Sequence, residues 1–243
     1  MKLYLISAST NVNVNRPLLE RIAEALEHQL FAHVAPFWQS AGISVGVLDA
    51  IADLPDADSS PLVVYDDPDQ ADVLGWHTYQ PESGLIHGTA FLNPILANGG
   101  SLLSGPNSLS ATLSHEAIEA ASDPYVNLYA FKDEHTIEPI EPGDRVQGDS
   151  YDINGVSVSN FLGPRAFRDG PGPYDWMLRL ENPWDLSPGG YCQRLNVRTG
   201  KTTTLFGAAV PEWRRELTRL KRARSLSRLS HRSMMQSEAA QGE

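Results

Sequence analysis

Apolar residues at Leu18, Leu19, Ile22, Ala25, Leu26, Leu30 and Val34 recur every three or four positions, the period of a helix with one buried face. The pattern predicts a long helix over 16–39, with Asn15 as N-cap, Pro17 in the first turn and Ala41-Gly42 ending it. Short apolar runs at 2–8, 43–48 and 62–65 read as strands, separated by acidic connections at 53–60 and 66–72. Two further strands, 73–79 and 84–92, are joined by a turn around Pro81 and Gly84. A glycine- and serine-rich loop, 98–106, leads into a second helix starting near Ser108, with Leu109, Leu113, Ala117 and Ala120 on one side. Beyond Pro124 the pattern breaks into strand-like pieces at 157–161, 177–180 and 193–197 between Pro/Gly loops. Helical periodicity returns over 211–232. No internal repeat is visible. This order predicts an α+β body in two subregions, about 1–122 and 123–210, with a cleft between them.

Composition fits an ordinary soluble globular protein, since 41% of the 243 residues are apolar and 20% charged. No apolar run approaches the ~18 residues of a membrane span. The N-terminal apolar stretch ends after about six residues, too short for a signal peptide, so a first strand is the better reading. A single cysteine, Cys192, excludes an internal disulfide and fits a reducing compartment. The net charge of −11 is uneven: 211–232 hold eight Lys/Arg against two acids, while 1–210 hold 11 basic and 26 acidic residues. An acidic body argues against nucleic acid at a main site. The basic segment, with Trp213, Leu217 and Leu220 on one side, suits an acidic partner or docking on the protein's own acidic body. The last residues, 233–243, read as a disordered tail.

The chemistry concentrates in Ser114-His115-Glu116-Ala117-Ile118-Glu119. His115 and Glu119 lie four residues apart, so on a helix they share a face and can reach one ion. Carboxylate oxygen is an acceptable zinc ligand, and Glu116, beside the first ligand, occupies the position of a general base. Acids on helices are common, and the pattern alone is also satisfied by surface residues. The rest of this helix, however, is apolar, so His, Glu and Glu need partners inside the protein. A protein zinc site needs at least three ligands, and downstream acids at Glu138, Glu141 and Asp144, together with His135, compete for the third place. His77 and Tyr125 could also face the cleft, the latter as a donor to an oxyanion; a packed histidine and a packed aromatic are the plain alternatives.

Ser-His-Glu-x-x-Glu followed by Asp123-Pro-Tyr125 resembles zincin-like proteins of the His-Glu-x-x-Glu type, a core shared by plant EXORDIUM proteins and several bacterial hydrolases. With Gly75-Trp-His77, Val158-Ser-Asn-Phe161 and Pro188-Gly-Gly-Tyr191, it is more similar to uncharacterised proteins of actinobacteria and their phages. The resemblance spans roughly residues 73–192. It implies a zincin-like fold: a mixed sheet over an active-site helix, with the third ligand from an irregular lower subdomain. It implies a zinc peptidase in which His115 and Glu119 are ligands, Glu116 is the general base, and Glu141 with Asp144 forms the downstream acidic pair. Glu141 is the favoured third ligand. Val146 stands where related sequences often have a cysteine, which suits a cytoplasmic or virion-associated protein. The competing reading is a catalytically inactive zincin-fold binding or virion component.

Overall fold

A computed structural model describes residues 1–68, 74–81 and 84–216. The distal part of the basic segment and the C-terminal tail lie outside these residues; within them, residues 212–216 are helical, in agreement with the start of the expected helix.

The first half is a five-stranded sheet in the order β2-β1-β3-β5-β4, built from β1 (Lys2–Ser7), β2 (Ser44–Val47), β3 (Ser59–Tyr65), β4 (Gly75–Gln80) and β5 (Leu85–Phe91). All neighbours are parallel except β4, which runs antiparallel to β5 at the edge. Central β3 carries the unbroken run Leu62-Val63-Val64, fully buried, as a strand covered on both faces must be. The pleat sets the inner face. Leu62 pairs with Gly88 and Val64 with Ala90, and in turn Gly75 pairs with Ala90 and His77 with Gly88. Leu62, Val64 and Ala90 belong to the main core, so Gly75 and His77 point to that side as well.

Two helices fill that core. Helix α1 (Arg16–His28) starts as expected: Asn15 Oδ1 accepts the Leu18 N–H at 3.1 Å, and Pro17 sits in the first turn. The expected single helix 16–39 is instead three consecutive pieces. After His28 the backbone widens into a π-helical segment, Gln29–Val34, and then narrows to α2 (Ala35–Trp38). The helix ends at Trp38, before Ala41-Gly42, because Gln39 turns left-handed (φ 54°) and the Ser40 N–H closes on the Ala35 carbonyl at 2.9 Å. Short helix α3 (Leu92–Ala97) follows β5, and α4 (Leu109–Ser122) is the motif helix.

The second half is all short strands. β6 (Tyr129–Phe131), β7 (Thr136–Pro139), β10 (Tyr191–Asn196) and β11 (Thr202–Phe206) make an antiparallel sheet in the order β11-β10-β7-β6. β8 (Ser150–Ile153) and β9 (Val156–Ser159) form a separate hairpin. Its side chains Ile153, Val156 and Val158, with Phe161, enter the first-half core between α1 and α4. A second core holds Val146, Leu162, Ala166, Phe167, Tyr174 and Leu180. At its centre Arg145 is fully buried, ion-paired to Glu138, with its guanidinium 4.7 Å from the Phe167 ring and 5.1 Å from that of Trp184.

The expected strand 177–180 does not form. Asp175, fully buried, accepts the N–H groups of Arg179 and Leu180, and Leu178 is left-handed (φ 58°), so the segment curls around one carboxylate. The Pro188-Gly-Gly-Tyr191 turn needs both glycines: Gly189 has φ 89°, and a Cβ on Gly190 would fall 1.9 Å from the Arg145 carbonyl oxygen.

Candidate metal centre

Helix α4 is buried from Leu109 to Ala120, so every polar group on it requires an internal partner. Ser108 caps it, accepting the Ala111 N–H at 3.1 Å. One polar face meets the β8–β9 hairpin. Ser110 Oγ donates to the Ser157 carbonyl at 2.7 Å, and one turn later Ser114 Oγ donates to Gln29 Oε1 at 2.6 Å while accepting the Ser159 N–H at 2.9 Å. Gln29 Nε2 in turn donates to the Ser159 carbonyl and to Tyr151 Oη, at 2.8 and 3.0 Å. This network gives the π-helical segment a role: it carries Gln29 into the core, where its amide ties α1, α4 and β9 together.

The other polar face carries His115, Glu116 and Glu119, which meet two different parts of the chain. From the second half comes the turn Asp144–Val146. His115 Nε2 lies 3.0 Å from Glu119 Oε1 and 3.4 Å from Asp144 Oδ1. Gly143 packs flat on the imidazole; a Cβ there would sit 2.4 Å from its Nδ1. From the sheet comes His77 on β4. Its Nδ1 lies 3.3 Å from Glu119 Oε2 and 3.7 Å from Glu116 Oε2. Two inward-facing glycines make room for Glu116. A Cβ on Gly75 would stand 2.8 Å from Glu116 Oε1, and one on Gly88 3.7 Å from its Cβ. In each group, His115–Glu119–Asp144 and His77–Glu116–Glu119, the candidate donor atoms all lie within 4.8 Å of one another.

Burial by itself would lower the pKa of His115. The charge of Glu119, hydrogen bonds to Asp144 and Glu119 and the charge of Glu116 outweigh it, raising the value to about 10. His77 behaves alike: desolvation is overcome by Glu116 and Glu119 and by the charges of Glu141 and Glu119, and its pKa rises well above the usual range. Both imidazoles thus sit in strongly negative surroundings that favour a cation, whether the proton they carry or an ion bound between them and the acids.

The sequence-predicted residues fall into three groups. His115, Glu116, Glu119, Asp144 and His77 converge. Glu141 is half-buried on the His77 side, where its charge reaches that imidazole; the acid placed with His115 and Glu119 is Asp144. Glu138, Tyr125 and His135 are spent elsewhere. Glu138 is clamped by Arg145 and by Arg194, the latter at 3.0 Å. Tyr125 is exposed, its ring edge-on to Tyr79 at 5.0 Å. The backbone carbonyl of His135 accepts the Val197 N–H.

Two supporting features were not foreseen. A carbonyl can only accept, so the 3.4 Å contact between His77 Nε2 and the Asp123 carbonyl places the ring's proton on Nε2 and turns the Nδ1 lone pair toward Glu116 and Glu119. The Asp123 carboxylate meanwhile accepts the N–H groups of Asn127 and Leu128, fixing the turn that presents this carbonyl. Asn160 is likewise structural: it donates to Asp175 at 2.8 Å and accepts from Phe161 and Met177. The signal for Asp123 was present in Asp-Pro-Tyr directly after the helix, where a side chain that can hold a turn is expected.

Compared with protein-family models, curated proteins and solved structures, the chain matches none.

Proposed function

We propose that this protein is a metal-dependent hydrolase of the zincin type, acting on peptide bonds, with its ion held by His115, Glu119 and Asp144. The observation that carries the reading is the meeting of a buried helical His/Glu pair with an acid from the other half of the molecule. The spacing fits. Ligand atoms about 2.0–2.1 Å from a tetrahedral ion lie about 3.3 Å from one another, and the two contacts of His115 Nε2 are 3.0 and 3.4 Å. A mixed sheet over the motif helix, with the antiparallel strand β4 at its edge, is also the layout that the zincin resemblance calls for.

When bound, the ion supplies a Lewis acid that polarises a scissile carbonyl and acidifies water. The chain supplies the rest: Asp144 and Glu119 fix His115, and Glu116, one residue round the helix, takes up the proton. A second reading, a protein that binds metal without catalysis, is favoured by the burial of the Glu116 side chain, only 3% exposed.

The discriminating experiment measures bound metal and cleavage of a broad peptide library for the parent, Glu116→Gln and Glu119→Gln. Glu119→Gln loses the metal, because a neutral amide is a poor ligand. Glu116→Gln retains the ion at His115 but loses about 10²–10⁴ in rate, the usual cost of removing a general base. A parent that binds metal and cleaves nothing leaves the non-catalytic reading.

A further inference from the structure

We propose that the centre holds two divalent cations bridged by Glu119, the second one bound by His77 and Glu116. This rests on the single-ion reading above and extends it to a carboxylate-bridged pair.

The geometry begins with Glu119. Its two oxygens face different histidines: Oε1 is 3.0 Å from His115 Nε2, and Oε2 is 3.3 Å from His77 Nδ1. A carboxylate that shows one oxygen to each of two nitrogen donors has the form of a bridge between two ions, such as pairs spaced about 3.5–4 Å apart in two-metal hydrolases. Each histidine also has a second carboxylate at hand, Asp144 for His115 and Glu116 for His77. The result is two groups of three donors sharing one residue.

The second group is built as a ligand shell. Glu116 Oε2 is buried and accepts no hydrogen bond; His77 Nδ1 is 3.7 Å from it. A lone carboxylate oxygen in that position is costly unless a cation reaches it. His77 is orientated for the task, its Nε2 proton engaged by the Asp123 carbonyl and its Nδ1 lone pair turned inward, the arrangement that metal-bound imidazoles adopt. Gly75 and Gly88 keep the sheet clear of the Glu116 side chain. Charge balance agrees. Glu116, Glu119, Glu141 and Asp144 bring four negative charges, which two divalent ions beside neutral imidazoles cancel, whereas one ion leaves a surplus of two. Nitrogen and carboxylate donors of this mix suit zinc or manganese.

The test loads the full chain with Zn²⁺ or Mn²⁺, removes excess ion and counts metal per chain, alongside the Mn²⁺ electron paramagnetic resonance spectrum. Two ions per chain and the spectrum of a spin-coupled pair are expected. His77→Ala and Glu116→Gln should each bring the count from two to one, His115→Ala should also leave one, and Glu119→Gln should weaken both sites. Circular dichroism of each ion-free variant checks folding, and the coupled spectrum of the parent stands even if a variant fails to fold. One ion per chain, lost in His115→Ala and kept in His77→Ala, overturns the pair but leaves the single-ion reading intact. One ion lost in His77→Ala and kept in His115→Ala overturns both, as does a chain that binds none. Two ions with the spectrum of isolated centres overturn the shared Glu119.

Discussion

Replacing Ser114 with Ala removes one oxygen from the middle of the buried network that holds the motif helix. That oxygen is the only bridge between two groups, Gln29 Oε1 at 2.6 Å and the Ser159 N–H at 2.9 Å. Ser114 and Gln29 are fully buried and Ser159 nearly so, so water does not replace the lost partner. Each stranded group costs about 1–3 kcal/mol, and with some relaxation the pair together costs about 2–5 kcal/mol. In a chain of this size that is roughly 4–20 °C in melting temperature, at about 2–4 °C per kcal/mol. The assay is equilibrium urea unfolding of ion-free protein, fitted with a common slope so that the midpoint reports stability. Ser110→Ala is the control. It deletes a single donor to the Ser157 carbonyl, which can accept elsewhere, and costs about 1 kcal/mol. A Ser114→Ala loss below about 0.5 kcal/mol, the level of an ordinary surface change, would show that the network does not hold α4 in place.

Three other outcomes are expected. Glu138→Gln leaves the Arg145 guanidinium buried among Phe167 and Trp184 without its carboxylate and lowers the urea stability by about 3–5 kcal/mol; a neutral result refutes the pairing. Gly143→Ala places a methyl group 2.4 Å from His115 Nδ1, which must turn; metal affinity by competition with a chromophoric chelator should fall about 10- to 100-fold, and an unchanged affinity separates His115 from the ion. The third concerns His33. Tyr151 Oη, which accepts from Gln29, donates its own proton to His33 Nδ1 at 2.8 Å, and burial followed by the nearby His28 lowers the His33 pKa below 6.5. A depressed folded-state pKa gives stability that is complete above the unfolded value and is lost as pH falls below it. The parent's unfolding free energy should therefore decline more steeply from pH 7 to 5 than that of His33→Gln; parallel curves would contradict a neutral His33.

How much could be read in advance depended on whether the signal was local. The α1 cap at Asn15, the strand pair around Pro81 and Gly84 and the start of α4 near Ser108 are written in adjacent residues, and the structure has them. The π-helical segment is not, because Leu26, Leu30 and Val34 keep helical spacing whichever way the backbone winds; only the distant partners of Gln29 reveal it. The β8–β9 hairpin was legible and missed: Asn154-Gly155, both at positive φ, is the favoured two-residue turn between Tyr151–Ile153 and Val156–Val158. The strand expected over 177–180 failed because Asp175 captures its amides, a choice that hydrophobicity does not encode. In the centre, helical spacing identified His115 and Glu119, but which acid from 138–144 joins them depends on chain return. Arg145 decides it by taking Glu138 away, and the turn it sits in delivers Asp144.

The exposure of the five converging side chains is graded, and the gradient has kinetic meaning. His115 and Asp144 are each 10% accessible, His77 and Glu116 3%, and Glu119 1%. Solvent therefore reaches the cluster through the His115–Asp144 side, and the His77–Glu116 end lies behind Glu119. Anything that enters or leaves the inner end waits for side chains or backbone to open, on the timescale of local unfolding rather than of diffusion. Uptake and chelator removal should consequently be biphasic, with a fast outer phase and a slow inner one. An inner ion caught during folding would outlast many hours of dialysis that empties the outer position.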